Sequence, residues 1–179
     1  MKKVAQILVV VAFALGFSYA RKSDVVTVKF DKFKQKTTLM TERTATGKAS
    51  LSDGHDLAFL VHRIEMVVGF SCDGEVSTCS PKGVELLFVA HTSNWVWNGS
   101  SKVTTLLIDN KPVDVGKADW DGTVVEADNL VEYLDTNIDR ELLEKLSQAK
   151  TVEVQIGEIQ FALTDANLDA IHSLSSHLK

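Results

Sequence analysis

The sequence has few cysteines and prolines, no excess of basic charge, and no long apolar run beyond its first 20 residues. Its 179 residues include two cysteines and two prolines and carry a formal net charge of −5 at neutral pH. Nucleic acids and anionic membranes select a clustered basic face, so this acidic chain is a poor candidate for either partner. No later segment reaches the ~20 apolar residues that a transmembrane helix needs, so we expect no integral membrane segment in the mature chain.

The common reaction and metal motifs are also missing. The sequence contains no G-x-S-x-G elbow, no H-E-x-x-H helix, no phosphate-binding glycine loop and no complete EF-hand pattern. Asp119–Gly122 comes nearest to a calcium loop but lacks an earlier acidic position and the closing glutamate, so it is better interpreted as a turn. His172 and His177 are five apart and do not share a helix face. We therefore predict no cofactor and no metal, and favour a protein that is not an enzyme.

The first 20 residues have the layout of a secretory signal peptide. Lys2 and Lys3 form a positive start, an apolar run follows from Ile7 to Phe17, and Ser18–Ala20 places small residues where a signal peptidase cuts. The apolar run is too short to span a bilayer. We therefore predict that residues 1–20 are removed.

The remaining residues, 21–179, are predicted to form a single exported domain in the periplasm or outside the cell. A domain of this size buries enough surface to fold without a metal or a disulfide network. Loss of the two lysines changes the formal charge from −5 to −7, which further disfavours nucleic-acid partners.

The two cysteines, Cys72 and Cys79, are close in sequence. In an exported protein such a pair is typical of one structural disulfide closing a short loop. The C-x-x-C spacing of redox pairs is absent, and a zinc site needs two further ligands from scattered histidines.

Hydrophobic alternation and turn dipeptides predict an α+β fold. It consists mainly of antiparallel β-sheet, arranged as a sandwich or a curled half-barrel, with two helices in the C-terminal third. The predicted strands are Val25–Phe30, Thr37–Glu42, Leu60–Val68, Val84–His91, Val103–Ile108, Val113–Val115, Thr123–Glu126, Val152–Ile156 and Ile159–Leu163. The predicted loops and turns are Thr44–Gly54, Gly69–Gly83, Asn98-Gly99, Asp109–Pro112 and Asp121-Gly122.

The last third contains the two predicted helices. Apolar residues recur at helical spacing over Ile138–Ala149, and a final helix begins with Thr164 or Asp165 as its cap. The phase of the strand pattern changes across Gly157-Glu158. A two-residue type II′ turn and a β-bulge explain that change equally well.

His62 falls on the more apolar of the two faces of its predicted strand, with Ile64 and Met66. This position predicts a hydrogen-bonded histidine in the core rather than a catalytic base.

The tryptophans give the best indication of function. Trp95 and Trp97 lie in an extended pattern over 95–98, so both rings are predicted on one strand face, flanked by Asn94 and Asn98. Such a pair can stack on a sugar or line an apolar ligand cavity. Two core anchors are the favoured interpretation, because this stretch has no other large apolar residues to bury.

We therefore expect a non-catalytic exported binding or interaction protein, whose ligand is an unknown protein, small molecule or glycan. One alternative is an exported hydrolase that uses Asp53, His55 and Asp56, or His91. A second alternative is an envelope or adhesin-like structural component.

Overall fold

The computed structural model describes residues 26–75, 81, 83–126 and 129–178. The strands in this part of the chain are β1 (Val26–Asp31), β2 (Lys36–Thr41), β3 (Thr44–Ala45), β4 (Ser50–Leu51), β5 (Val61–Asp73), β6 (Val84–Thr92), β7 (Val103–Ile108), β8 (Lys111–Lys117), β9 (Asp119–Glu126), β10 (Asn129–Ile138), β11 (Val152–Ile156) and β12 (Ile159–Ala162). The helices are α1 (Arg140–Gln148) and α2 (Asp165–Ser175).

The strands form two antiparallel sheets. The seven-stranded sheet has the order β1-β2-β5-β6-β10-β9, with β3 also paired to β5, and the five-stranded sheet has the order β4-β12-β11-β7-β8. In the described residues both sheets are open, with β1 and β9 at the edges of the larger sheet and β4 and β8 at the edges of the smaller one. The predicted α+β fold, dominated by antiparallel sheet with two helices in the C-terminal third, is confirmed.

One hydrophobic core joins the two sheets and both helices. Alternate residues of β5, such as Ile64 and Met66, are buried on one face of the larger sheet. Phe88 of that sheet meets Phe161 of the smaller sheet edge-on, with ring centroids 5.1 Å apart. Apolar burial between the sheets is thus the main stabilising contribution.

The strand β5 is longer than predicted. It continues to Asp73, through the first part of the predicted loop Gly69–Gly83. Gly69 lies within β5, paired with Met40 and Glu85, rather than in a turn. Glycine is needed there for space, because a Cβ atom would lie 2.8 Å from the carbonyl oxygen of Leu39 on β2. Cys72 is buried near the end of β5. Cys79 lies outside the described residues, as does the predicted signal peptide, so the disulfide and the signal both remain predictions.

The predicted turn at Asp121-Gly122 is wrong. Both residues lie inside β9 and pair with Tyr133 and Glu132 of β10. Gly122 is needed for space, since a Cβ atom there would lie 2.5 Å from the ring of Trp95. A glycine within a strand can mark close packing as well as a turn.

Two further differences concern short or polar strands. The predicted loop Thr44–Gly54 contains the two-residue strands β3 and β4. The strand β10 was not predicted, because Glu132 and Thr136 occupy buried positions where the alternating pattern requires apolar residues.

His62 is exposed, contrary to the prediction that it lies in the core. The pairing of β5 with β6 shifts register between Val61 and Arg63, which indicates a β-bulge. The extra residue turns His62 outward while Val61 keeps its buried position.

The C-terminal third follows its local signals. The carboxylate of Asp139 accepts the backbone N–H of Leu142 at 2.7 Å and caps α1. Thr164 is the N-cap of α2. Gly157 has a φ of +63°, and Ile156 pairs with Ile159, so the two-residue turn is correct rather than the bulge. No helix in the described ranges has the length and apolarity needed to cross a membrane.

Candidate functional site

The two tryptophans of interest lie in the loop that joins β6 to β7. The chain bends at residues 96–97 and turns at Asn98-Gly99, where Gly99 has a φ of +79°. The turn prediction is confirmed, but the prediction of an extended Trp95–Asn98 segment with both rings on one face is wrong. Trp97 is 1 % exposed, whereas Trp95 is half-buried.

Trp97 anchors this loop to the core. Its indole Nε1–H donates a hydrogen bond to the carbonyl oxygen of Ile156 on β11 at 3.2 Å. A buried indole needs such a partner, because an unpaired N–H in the interior costs free energy. The core interpretation therefore describes Trp97 correctly.

Glu132 of β10 fixes the backbone of the same loop. Its side chain is fully buried on the core face of the larger sheet. The carboxylate accepts the backbone N–H of Val96 at 2.8 Å and that of Trp97 at 3.0 Å. It also accepts the indole N–H of Trp120 at 2.9 Å. A buried carboxylate is tolerated when several donors surround it, and these hydrogen bonds are strong because the acceptor is charged.

Sequence reasoning missed Glu132. The available signal is an acidic residue at an inward position of the alternating segment 130–138. Recognising its role requires the knowledge that a loop 35 residues earlier brings its N–H groups to this strand.

Trp95 rests on a second tryptophan. Its ring meets that of Trp120 edge-on, with centroids 5.8 Å apart and an interplanar angle of 76°. The ring also covers Gly122. These contacts cover part of the indole, and Trp95 remains partly exposed.

A cavity of about 540 Å³ lies beside Trp95. Three segments enclose it: the β6–β7 loop, the turn before β5, and the β11–β12 turn. This volume is within the range of small-molecule sites. We call it the Trp95 cavity, and its large apolar lining residues are Leu51, Leu57, Phe59, Leu60, Trp95, Val96, Trp97, Ile156 and Ile159.

The polar lining is sparse and lies in the loops. It consists of Asn94, Ser100, Ser101 and Glu158. The side-chain oxygen of Asn94 already accepts the backbone N–H of Trp95 at 2.9 Å. The site is therefore better suited to an apolar ligand body than to a polyhydroxylated one.

Three of the four predicted ligand residues, Asn94, Trp95 and Trp97, line this cavity. Asn98 is exposed in the adjoining turn and is not part of the lining. The structure thus brings most of the predicted set together, although by a loop rather than by a strand face. Their role in binding remains a prediction.

The residues of the hydrolase alternative lie in two places. In the segment between β4 and β5, Nδ1 of His55 is 2.8 Å from Oδ1 of Asp53. The hydrogen bond from the His55 side chain lowers the pKa of Asp53. The carboxylate of Asp56 instead accepts the backbone N–H of Ala58 at 2.8 Å. In the described part of the chain, no serine or cysteine side chain is hydrogen-bonded to His55.

His91 lies on the face of the larger sheet that points away from the core, paired with Arg63 and Val131. Its Nε2 atom is 3.4 Å from Oε2 of Glu65. Within the described ranges, no three or more His, Cys, Asp or Glu side chains are grouped to hold a metal ion.

The comparisons with known proteins give no functional inference. No protein-family model, no curated protein and no solved structure matches this chain. Any assignment of function must therefore come from the geometry of the Trp95 cavity and its surroundings.

Proposed function

We propose that this chain is an exported, non-catalytic binding protein that takes an apolar ligand into the Trp95 cavity. The observation that carries the proposal is a 540 Å³ cavity with a largely apolar lining, bordered by a half-buried tryptophan. Phe59, which also lines it, is 71 % exposed. Exposed aromatic side chains around a concave apolar surface are typical of a binding site.

The hydrogen bonds that hold the loop support this proposal. Hydrogen bonds to Glu132 and Ile156 hold the loop backbone and the Trp97 ring. A binding site whose walls are already ordered loses little conformational entropy when a ligand enters. A ligand that buries ~300 Å² of apolar surface gains roughly 7 kcal/mol before the costs of association.

Export is the part of the proposal that depends on sequence alone. The basic start, short apolar run and small-residue cleavage site of residues 1–20 support it. An oxidising compartment also favours a disulfide between Cys72 and Cys79. Intact mass measured before and after reduction tests that pairing, since reduction of one disulfide adds two hydrogens.

The binding proposal is tested with an environment-sensitive anilinonaphthalene dye and the purified mature protein. We expect dye fluorescence to saturate, and its affinity to fall at least about tenfold in Trp95→Ala and in Phe59→Ser. Phe33→Ser is the matched control, because Phe33 is 90 % exposed in the β1–β2 turn, outside the cavity. Equal dye affinity in all four proteins would exclude the Trp95 cavity as the binding site.

The exported hydrolase is the second candidate, and the Asp53–His55 contact is the observation that favours it. A screen of ester, glycoside and peptide substrates tests it. Turnover that disappears in His55→Ala, while dye binding is unchanged, would replace the binding proposal with this one.

A further inference from the structure

A second, smaller cavity of about 150 Å³ lies next to the start of β5. One wall is the connection 46–49 between β3 and β4, and the other is formed by Ala58 and residues 61–64. Two backbone hydrogen bonds hold the walls together: Thr46 N–H to the Ile64 oxygen at 2.9 Å, and Leu57 N–H to the Ala49 oxygen at 3.2 Å. We call this cavity the basic pocket.

The ionisable residues that line the basic pocket are Lys48, His62 and Arg63, and none of its lining residues in the described part of the chain is acidic. The β-bulge at the start of β5 brings about this arrangement. Regular alternation places two consecutive residues on opposite faces of a sheet, yet His62 and Arg63 are both exposed. Bulges often redirect side chains beside functional sites.

Among the described residues, basic side chains outnumber the carboxylates around the basic pocket. Two carboxylates lie at its edge: that of Asp56 accepts the backbone N–H of Ala58 at 2.8 Å, and Oε1 of Glu65 is 3.4 Å from Arg63. The Glu65 carboxylate also faces Arg43 at 3.9 Å and His91 at 3.4 Å. One negative charge is therefore shared by several basic groups, in a chain whose overall charge is −5.

We propose that the basic pocket binds a compact oxyanion of the phosphate, sulfate or carboxylate type. Its volume of 150 Å³ is about five times the ~30 Å³ that a water occupies in the liquid, which suits a small tetrahedral or planar anion. The guanidinium of Arg63 offers a donor fork that matches such an anion, Lys48 adds a point charge, and the imidazole of His62 adds an N–H donor.

This site is separate from the Trp95 cavity. Leu57, Phe59 and Leu60 line the Trp95 cavity, whereas Ala58 and His62 line the basic pocket. Opposite sides of one short segment thus border two cavities of different chemistry, and the oxyanion site does not depend on the proposed apolar ligand.

The test is a two-dimensional ¹H–¹⁵N NMR titration of the mature protein with potassium phosphate, using potassium chloride at equal ionic strength as the reference. We expect saturating shifts in the amides of residues 46–49 and 61–64 that chloride does not produce. Lys48→Gln should weaken phosphate binding about threefold, and Lys48→Gln with Arg63→Gln about tenfold. Lys102→Gln, an exchange of a lysine outside the basic pocket, should leave the affinity unchanged.

Arg63→Gln also removes a contact with Glu65, so Lys48→Gln alone provides a test that does not depend on that ion pair. A second arm uses phosphatidylglycerol vesicles against phosphatidylcholine vesicles, and separates a free oxyanion from one carried on a lipid headgroup. The proposal would be overturned if phosphate and chloride changed the amide chemical shifts equally. It would also be overturned if the changes caused by phosphate were the same in the double variant as in the parent protein.

Discussion

The backbone N–H of Trp97 donates a hydrogen bond to Oε2 of Glu132 at 3.0 Å, although the two residues are 35 positions apart. This contact joins the loop that carries the tryptophans to β10 of the larger sheet, the strand next to the edge strand β9. The same carboxylate also accepts the backbone N–H of Val96 and the indole N–H of Trp120. One side chain therefore positions both the loop and the Trp120 ring that contacts Trp95.

Glu132→Gln should destabilise the protein by about 2–3 kcal/mol. The glutamine side chain keeps one oxygen that can accept a hydrogen bond. Its NH₂ group would face N–H donors that a carboxylate oxygen accepted before, so at least one of those hydrogen bonds is lost. Urea unfolding measures the loss. Glu126→Gln on the exposed end of β9 is the matched control and should change stability by less than about 0.5 kcal/mol. Equal stability of the two variants would contradict the role assigned to Glu132.

Trp97→Ala should destabilise the fold by about 3–5 kcal/mol, since it leaves a large hole in the core and removes the hydrogen bond to the Ile156 carbonyl. Trp95→Ala should cost clearly less, because its ring is half-buried at the edge of a cavity. The two free energies of unfolding, measured side by side, check this order. The reverse order would mean that Trp95 is the core anchor.

Gly122→Ala should displace the Trp95 ring, because its new Cβ atom would lie 2.5 Å from Cζ3 of that ring. We expect a destabilisation of about 1–3 kcal/mol and weaker binding of the anilinonaphthalene dye. Gly83→Ala is the control, since the nearest atom to a Cβ there is 3.8 Å away. Dye affinity that is the same in both variants would show that Trp95 does not need this support.

Asp135 makes stability depend on pH. Burial, followed by the nearby carboxylates of Glu85 and Asp119, raises its pKa from 3.8 to about 6. The folded chain therefore holds this proton more tightly than the unfolded chain. The resulting stabilisation is complete below pH ~4 and is lost as the pH rises through about 6.

Asp135→Asn should remove this dependence and raise the free energy of unfolding at neutral pH. We expect the free energy of unfolding to increase by about 1 kcal/mol. This is less than the full pKa shift implies, because solvent partly screens the site. Urea unfolding at several values between pH 4 and pH 7 measures the difference from the parent chain. Glu153→Gln, on an exposed position of β11, should leave the pH profile unchanged. A parallel offset at every pH would mean that Asp135 is not the titrating group.

Much of the fold could be predicted because its signals are local. The alternation in β5 and β6, the caps at Asp139 and Thr164, and the two-residue turn at Gly157-Glu158 each depend on residues within a few positions of one another. Backbone preferences and side-chain periodicity act over that range, so the sequence indicates these elements directly.

The candidate site could be predicted only in part. Trp95, Trp97 and Asn94 were recognised from their residue types, and all three line the cavity. The prediction of a turn at Asp121-Gly122 is wrong because Gly122 leaves space for the ring of Trp95, a residue far from it in sequence. No pattern within β9 distinguishes that need for space from a turn.

The sequence by itself determined the fold class, the hairpins and helices with strong local signals, and the overall acidic charge. The tertiary structure decided which polar groups are buried and which loops meet. It buried the carboxylate of Glu132, turned His62 outward at a bulge, and placed Trp97 in the core but Trp95 at the edge of a cavity. The physical reason is that a buried carboxylate, a register shift or a cavity wall is stabilised by partners from distant strands. Those partners become neighbours only when the two sheets close on their common core.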